Sequence, residues 1–229
     1  MSAAALWTGG KDSSLALYES RRLGCTILCL VTFVPCGAKF RAHPLDFLKY
    51  QSEALGLPHY TIRVDEPFTR SYRDAILSLK SRFGIDTLIT GDIAEVDGFR
   101  NWIRMCSENS GVNVLTPLWH RNRVKLLNRL LELEFKVIFS CVKGPWFTEE
   151  WLGKRLTETL VRRLCELNAK TGLDICGEQG EYHTLVLDAP QFKKSIHVGS
   201  FSKQREGSLM YIKTKEITLR EKHFTDLSK

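Results

Sequence analysis

Several things are missing from this chain, and each absence narrows what it can be. Seven cysteines are scattered at positions 25, 29, 36, 106, 141, 165 and 176, an odd number with no C-x-x-C pair among them. That pattern fits neither a disulfide framework nor a zinc site. Cys29, Cys141 and Cys165 lie inside apolar patterns, where a thiol behaves as a small hydrophobe. Free thiols in a reducing, cytoplasmic compartment are therefore expected. No apolar stretch approaches the roughly 18 residues of a membrane span, and no basic segment leads into a long apolar run at the N-terminus. Neither a membrane partner nor a signal peptide is expected. No Lys/Arg run exceeds two, although the net charge is +7. The charge suits an acidic or phosphorylated partner, RNA included, but no RNA-binding motif accompanies it and a solvated mixed surface explains it equally. Internal repeats, low-complexity segments and a Pro/Ser linker are also lacking. With 43% hydrophobic residues over 229, the chain can bury one large core or a domain with a small appendage, and a homo-oligomer is compatible with it.

What is present is concentrated first at Thr8-Gly9-Gly10-Lys11-Asp12-Ser13-Ser14. The apolar run Ala3–Trp7 precedes it and a helical pattern, Ser13–Leu23, follows, stopped by Gly24. A strand entering a Gly-Gly turn and then a helix start is an anion site. The glycines let backbone approach the anion, and the first N–H groups and the macrodipole point at it. Lys11 adds a charge, and Thr8, Ser13 and Ser14 add hydroxyls. The loop is not Walker A, since Asp12 stands where that motif has Ser or Thr. A carboxylate inside a phosphate loop makes electrostatic sense with Mg²⁺ bridging it to the phosphates. The bland alternative is an ordinary Gly-Gly turn with an Asp cap.

Beyond the loop the pattern alternates. Strands are expected at 26–33, 60–64, 86–90 and 112–115, and helices at 44–55, 68–83 and 96–109. Repeated βαβ units predict an α/β fold, a doubly wound parallel sheet with helices on both faces. Ligands in such sheets sit at the carboxyl ends of strands near the topological switch point, where both Thr8–Ser14 and Gly91-Asp92 fall. Near Pro117 the character changes. A helix over 122–134, a strand over 136–142, a polar helix over 148–171 and strands at 184–187, 195–198 and 209–213 suggest a smaller α+β lobe. The expected division is a nucleotide-binding domain over 1–118 and a substrate-side lobe over 119–229.

Cys176-Gly177-Glu178-Gln179-Gly180-Glu181-Tyr182-His183-Thr184 packs two carboxylates and two glycines into nine residues before a strand. Such a loop could meet an ammonium group, a ribose or a bound Mg²⁺, or be a solvated acidic loop.

Two motifs carry a family resemblance. Thr8–Ser13 resembles the Ser-Gly-Gly-x-Asp-Ser loop of N-type ATP pyrophosphatases (PP-loop enzymes), with Thr8 for Ser. Gly177–Thr184 resembles the Gly-Glu-Gly-Gly-Glu-Tyr/Phe-Glu-Thr motif of the diphthine–ammonia ligase family, with Gln179 for Gly and His183 for Glu. Gly91-Asp92-Ile93, Pro117-Leu118-Trp119 and Trp151-Leu152-Gly153-Lys154 follow in family order, and the likeness spans roughly residues 3 to 198. Lys39–Pro44 departs from the family's tyrosine-rich segment, and the missing C-x-x-C separates the chain from iron–sulfur thiolases that share the ATP loop.

The resemblance implies an ATP-dependent amide ligase, with the diphthine carboxylate of translation elongation factor 2 and ammonium as substrates and AMP and pyrophosphate as products. It implies that Thr8, Gly9, Gly10, Lys11, Asp12, Ser13 and Ser14, with Gly91, Asp92 and Ile93, hold ATP, that Asp12 and Asp92 hold Mg²⁺, and that Thr32 and Phe33 meet the adenine. Gly177, Glu178, Gly180, Glu181, Tyr182 and Thr184 would form the acceptor or ammonia site, and Lys11, Asp12, Asp92 and Glu181 would be catalytic. His43 and His183 are acid–base candidates or structural hydrogen bonders. Arg41, Arg100 and Arg104, the last two four apart on the expected helix, could clamp an anionic acceptor or form a solvated basic face. The alternatives are another acceptor, such as a tRNA base or small carboxylate, or a nucleotide-binding module without catalysis.

Overall fold

The structure is a computed structural model that describes residues 1–95 and 100–222. Five parallel strands form the first sheet in the order β3-β2-β1-β4-β5: β1 Ser2–Leu6, β2 Thr26–Pro35, β3 His59–Val64, β4 Thr87–Ile89 and β5 Asn113–Leu115. The chain winds outward from β1 through β2 to β3, then returns to β4 on the other side of β1. The switch point therefore lies between the carboxyl ends of β1 and β4.

Strand alternation distributes the helices. Ala3 and Ala5 enter one core with Leu15 and Leu17 of α1 (Lys11–Arg22) and Phe47 and Leu48 of α2 (Leu45–Leu55). Ala4 enters the other with Ile76 and Leu79 of α3 (Phe68–Phe83) and Cys106 of α4 (Trp102–Ser107). A central strand buried on both faces needs small apolar residues at each position, and the alanines supply them.

The second sheet is antiparallel, in the order β7-β6-β9-β8: β6 Lys136–Lys143, β7 Tyr182–Asp188, β8 Lys194–Glu206 and β9 Leu209–Glu221. Its apolar residues Phe139, Val142, Leu185 and Val186 join the same core as α1 and α2, so the second lobe closes over that face of the first sheet. Helices α5 (Arg123–Glu132) and α6 (Glu158–Thr171) pack on each other.

Three expectations need correction. The helix expected over Val96–Asn109 is only Trp102–Ser107, capped by the Asn101 side chain accepting from Arg104 N–H; residues 96–99 lie outside the described residues. The single helix expected over 148–171 is broken. Gly153 and Leu156 donate to carbonyls of β6 and Phe139 donates to Lys154, so the segment runs extended before Thr157 caps α6. The strands expected at 195–198 and 209–213 are the ends of one long hairpin, 194–206 with 209–221. All seven cysteines are free. No helix among the described residues is long and apolar enough to cross a membrane.

Candidate active site

A cavity of about 890 Å³ opens at the switch point, walled by the ends of β1, β2 and β4, by Phe40 and His43, and by residues 176–178 and 182–184 of the second lobe. One end is apolar. Phe33 lies 4.8 Å from Tyr72 between ring centroids, and Tyr72 meets Trp102 edge-on at 5.9 Å. The other end is the glycine loop.

That loop is held from three directions. Gly9 has φ +76, and a Cβ there would lie 2.2 Å from Gln51 Oε1. Wholly buried Gln51 accepts from Trp7 Nε1 (3.0 Å) and donates to the carbonyls of Gly9 (2.9 Å) and Val186 (2.8 Å). The Val186 N–H donates to the same Gly9 carbonyl at 3.0 Å, so the edge of β7 that faces away from β6 straps the loop. From above, Gly91 presses on the first turn of α1. A Cβ at 91 would lie 2.6 Å from the Ser13 nitrogen, so only glycine permits this approach. The N–H groups of Asp12 and Ser13 lie in that first turn, where no carbonyl four residues back accepts them.

Lys11 is buried between the lobes. Its Nζ donates to Asp12 Oδ2 (2.6 Å) and to the Cys176 carbonyl (2.5 Å), and lies 5.2 Å from the centre of the Tyr182 ring. Its backbone N–H donates to Thr184 Oγ1 at 3.0 Å. Burial acts to lower its pKa, but the Asp12 carboxylate outweighs this and holds the ammonium charged well above its ordinary range. Asp92 Oδ2 accepts from Thr90 Oγ1 (2.8 Å) and Asn101 Nδ2 (2.5 Å), which aims it along the cavity wall.

The second motif divides by geometry. Thr184 and Tyr182 belong to the glycine loop, and Tyr182 spends its hydroxyl on the Ile175 carbonyl at 2.7 Å. Glu178 lines the cavity and accepts from Ile93 N–H at 3.2 Å. Burial, with Asp12 and Asp92 nearby, pushes its pKa up to about 7 against that hydrogen bond. Glu181 is buried and turned away from the cavity. Its two oxygens accept from the N–H groups of Asp174 (2.9 Å) and Gln179 (3.0 Å), tying together the loop that carries the Cys176 carbonyl. Glu181 is thus not part of the cavity lining, unlike Glu178, and in this geometry its carboxylate positions the loop.

His43 and His183 meet edge to face at 5.2 Å, and a Cβ on Gly10 would lie 3.2 Å from His43 Cε1. Burial, then His183 and Lys11, push His43 down to about 3; burial and Lys11 push His183 down to about 4. Both rings are neutral at pH 7, and His43 Nδ1 is buried without a partner.

Thr8, Gly10, Lys11, Asp12, Ser13, Thr32, Phe33, His43, Gly91, Asp92, Arg100, Gly177, Glu178, Tyr182, His183 and Thr184 all line this cavity. Others do not. Ser14 Oγ and carbonyl accept from Gln191, Ile93 is core with its N–H engaged, and Gly9 acts from behind the loop. Arg100 and Arg104 share no helix face, because Arg100 precedes the Asn101 cap. The Arg104 guanidinium donates to Thr116 and lies 5.7 Å from the centre of the Trp119 ring. Arg41 pairs with Glu206 on the hairpin, and Gly180 lies outside the cavity wall. Gln51 was not legible in advance. A glutamine on the buried stripe of an amphipathic helix was the one available signal. Among the described residues no cluster of three or more His, Cys, Asp and Glu forms a protein-only metal site. Asp12 and Asp92 are the carboxylates on the cavity wall that would hold Mg²⁺ if it bound together with phosphate.

Residues 1–114 match the family described as diphthamide synthase N-terminal domain, and residues 122–219 the diphthamide synthase C-terminal domain. A diphthine–ammonia ligase of Mus musculus is 30% identical over 87% of this chain and 84% of its own length. The Bos taurus protein of the same name is 31% identical over the same shares, and that of Schizosaccharomyces pombe 30% identical over 92% of this chain but 38% of its own. A solved structure described as a predicted subunit of tRNA methyltransferase from Methanocaldococcus jannaschii aligns over 83% of this chain and 98% of its own at 18% identity, TM-score 0.47.

Proposed function

Because the chain belongs to the diphthamide synthase family, we propose that its cavity performs an ATP-dependent amidation, joining ammonia to the diphthine carboxylate of elongation factor 2. The chain is an enzyme of the C–N-bond-forming ligase kind, as its relatives' names state. The observation that carries the reading is the pairing, in one cavity, of an aromatic shelf with a glycine loop whose charged lysine lies between the lobes.

In this reading adenine lies on the shelf of Phe33, Tyr72 and Trp102, and the phosphates run toward Gly10 and Lys11. Free N–H groups at the start of α1 and the Lys11 ammonium meet the β- and γ-phosphates. An acceptor carboxylate oxygen attacks the α-phosphorus, the bond to the bridging oxygen breaks, and pyrophosphate leaves with the electron pair. The nitrogen of ammonia then attacks the acyl carbon, AMP departs, and the nitrogen gives up a proton. Mg²⁺ held by Asp12 and Asp92 would supply charge neutralisation on the phosphates. What the chain contributes is orientation and a fixed electrostatic field, the larger part of phosphoryl-transfer catalysis. The second lobe brings Thr184 and the Cys176 carbonyl onto the loop, so phosphate binding and lobe closure share contacts. Chromatography of the nucleotide formed during turnover with diphthine-bearing elongation factor 2 and ammonium tests the reading: AMP with pyrophosphate supports it, and ADP as the main product refutes it.

A further inference from the structure

A second groove, of about 760 Å³, runs between α2 and the hairpin strand β9, and Phe40 lines both it and the nucleotide cavity. The two hollows are therefore neighbours, with Phe40 standing between the groove and the nucleotide cavity. Strand β9 borders the groove in an unusual way. It pairs with β6 only through Leu209, Met210 and Tyr211, whereas β8 accompanies it to Glu221 on the other side. Beyond Tyr211, β6 is covered by residues 153–156 instead. The β6-facing edge of β9 from Ile212 onward thus has no strand beside it among the described residues. Consecutive residues from Tyr211 to Lys215 line the groove. Side chains alternate faces along a strand, so a run of neighbours means that β9 meets the groove along its edge.

The charges are one-sided. Asp46 in the groove pairs with Lys49, Glu53 pairs with Lys194, and Glu206 beside it pairs with Arg41. Lys213 and Lys215 are exposed and join no ion pair among the described residues. The groove thus offers unpaired backbone donors and acceptors along one side and uncompensated positive charge.

We propose that this groove docks an extended, carboxylate-bearing polypeptide segment of the acceptor protein, added as a strand to β9, which delivers the modified side chain past Phe40 into the cavity. The proposal rests on the reading that the acceptor is a protein. An open strand edge presents carbonyl oxygens as well as N–H groups, which suits a polypeptide backbone and repels the phosphates of a nucleic acid. Lys213 and Lys215 select acidic flanking residues and speed encounter.

The test uses the full chain with diphthine-bearing elongation factor 2. Hydrogen exchange of the Ile212–Ile217 amides should slow when the acceptor is added, whether or not ammonium is present. The double variant Lys213→Glu, Lys215→Glu should raise the acceptor KM roughly tenfold, with the ATP KM and kcat at saturating acceptor within about twofold. Unchanged exchange in the wild type, or an unchanged acceptor KM in the variant, overturns the groove assignment even if amidation proceeds. Exchange slowed by the acceptor without any amide formed keeps the groove and refutes the reaction instead. Protection by a transfer-RNA mixture but not by the acceptor assigns the groove to nucleic acid and overturns the proposal.

Discussion

Replacing Gln51 by leucine should loosen the glycine loop and the lobe contact together. The amide of Gln51 is fully buried and makes three hydrogen bonds, to Trp7, Gly9 and Val186. Leucine keeps the volume and removes all three. The Gly9 carbonyl retains the Val186 N–H at 3.0 Å, so it stays satisfied. Trp7 Nε1–H and the Val186 carbonyl are left without a partner. Each unsatisfied buried group costs about 1–3 kcal/mol, so the loss is about 2–6 kcal/mol before relaxation. Against a typical total of about 5–15 kcal/mol, that is readily measured by urea denaturation as a shifted midpoint at unchanged slope. ATP affinity should fall in parallel, because the strap sets the position of Gly9. Gln51→Glu provides a second, sharper result. Its carboxylate would face two carbonyl oxygens, so the ionised form is disfavoured and the folded-state pKa lies above the unfolded value near 4.3. The folded protein then tolerates the protonated form only. Stability of this variant is greatest below about pH 4 and falls as pH rises through the folded pKa. A Gln51→Leu protein within about 0.5 kcal/mol of wild type, with ATP affinity unchanged, would refute the reasoning.

Three further outcomes follow from the site. Lys11→Ala should weaken ATP about 10- to 100-fold, the scale of a lost charge-assisted hydrogen bond, while adenosine affinity measured by calorimetry stays within about twofold; equal losses would place Lys11 elsewhere. Glu181→Ala should lower stability by about 1–3 kcal/mol, with ATP affinity and amidation falling together, because it releases the loop bearing the Cys176 carbonyl. Amidation lost alone, at unchanged stability and ATP affinity, would return Glu181 to the acceptor. Stability–pH curves should show two opposite contributions. His43, depressed to about 3, stabilises above the unfolded value near 6.5, and that stability is lost as pH falls toward 3, a slope that His43→Gln should remove. Glu178, raised to about 7, costs stability as pH rises from about 4.5 to 7, a slope that Glu178→Gln should flatten; curves for the variants that overlay wild type would contradict both.

Local pattern determined much of this protein. Apolar runs placed every strand of the parallel sheet to within about two residues at each end, and the glycine stop placed α3 to the residue, because those elements bury regular faces. The Gly-Gly-Lys-Asp loop was legible as a candidate anion site, since its backbone freedom and charge are written in a few adjacent residues, and the structure puts it on the cavity wall. Helix ends were less legible. The break at 152–157 came from hydrogen bonds to Val137 and Phe139 of β6, about four or more helical turns away in sequence, which local propensity does not contain. The carboxylates of the second motif looked alike in sequence, yet folding separated them. Glu178 faces the cavity with its pKa raised, and Glu181 is consumed by two backbone N–H groups. Likewise Arg41 went to the hairpin and Arg104 to Thr116, although composition offered all three arginines equally. Gln51 joined Trp7, Gly9 and Val186, partners up to 135 positions away. Residue type and spacing thus fix which chemistry is available. Only long-range packing decides which polar groups are left facing the cavity, because every buried donor and acceptor must first be satisfied by whatever the fold brings beside it.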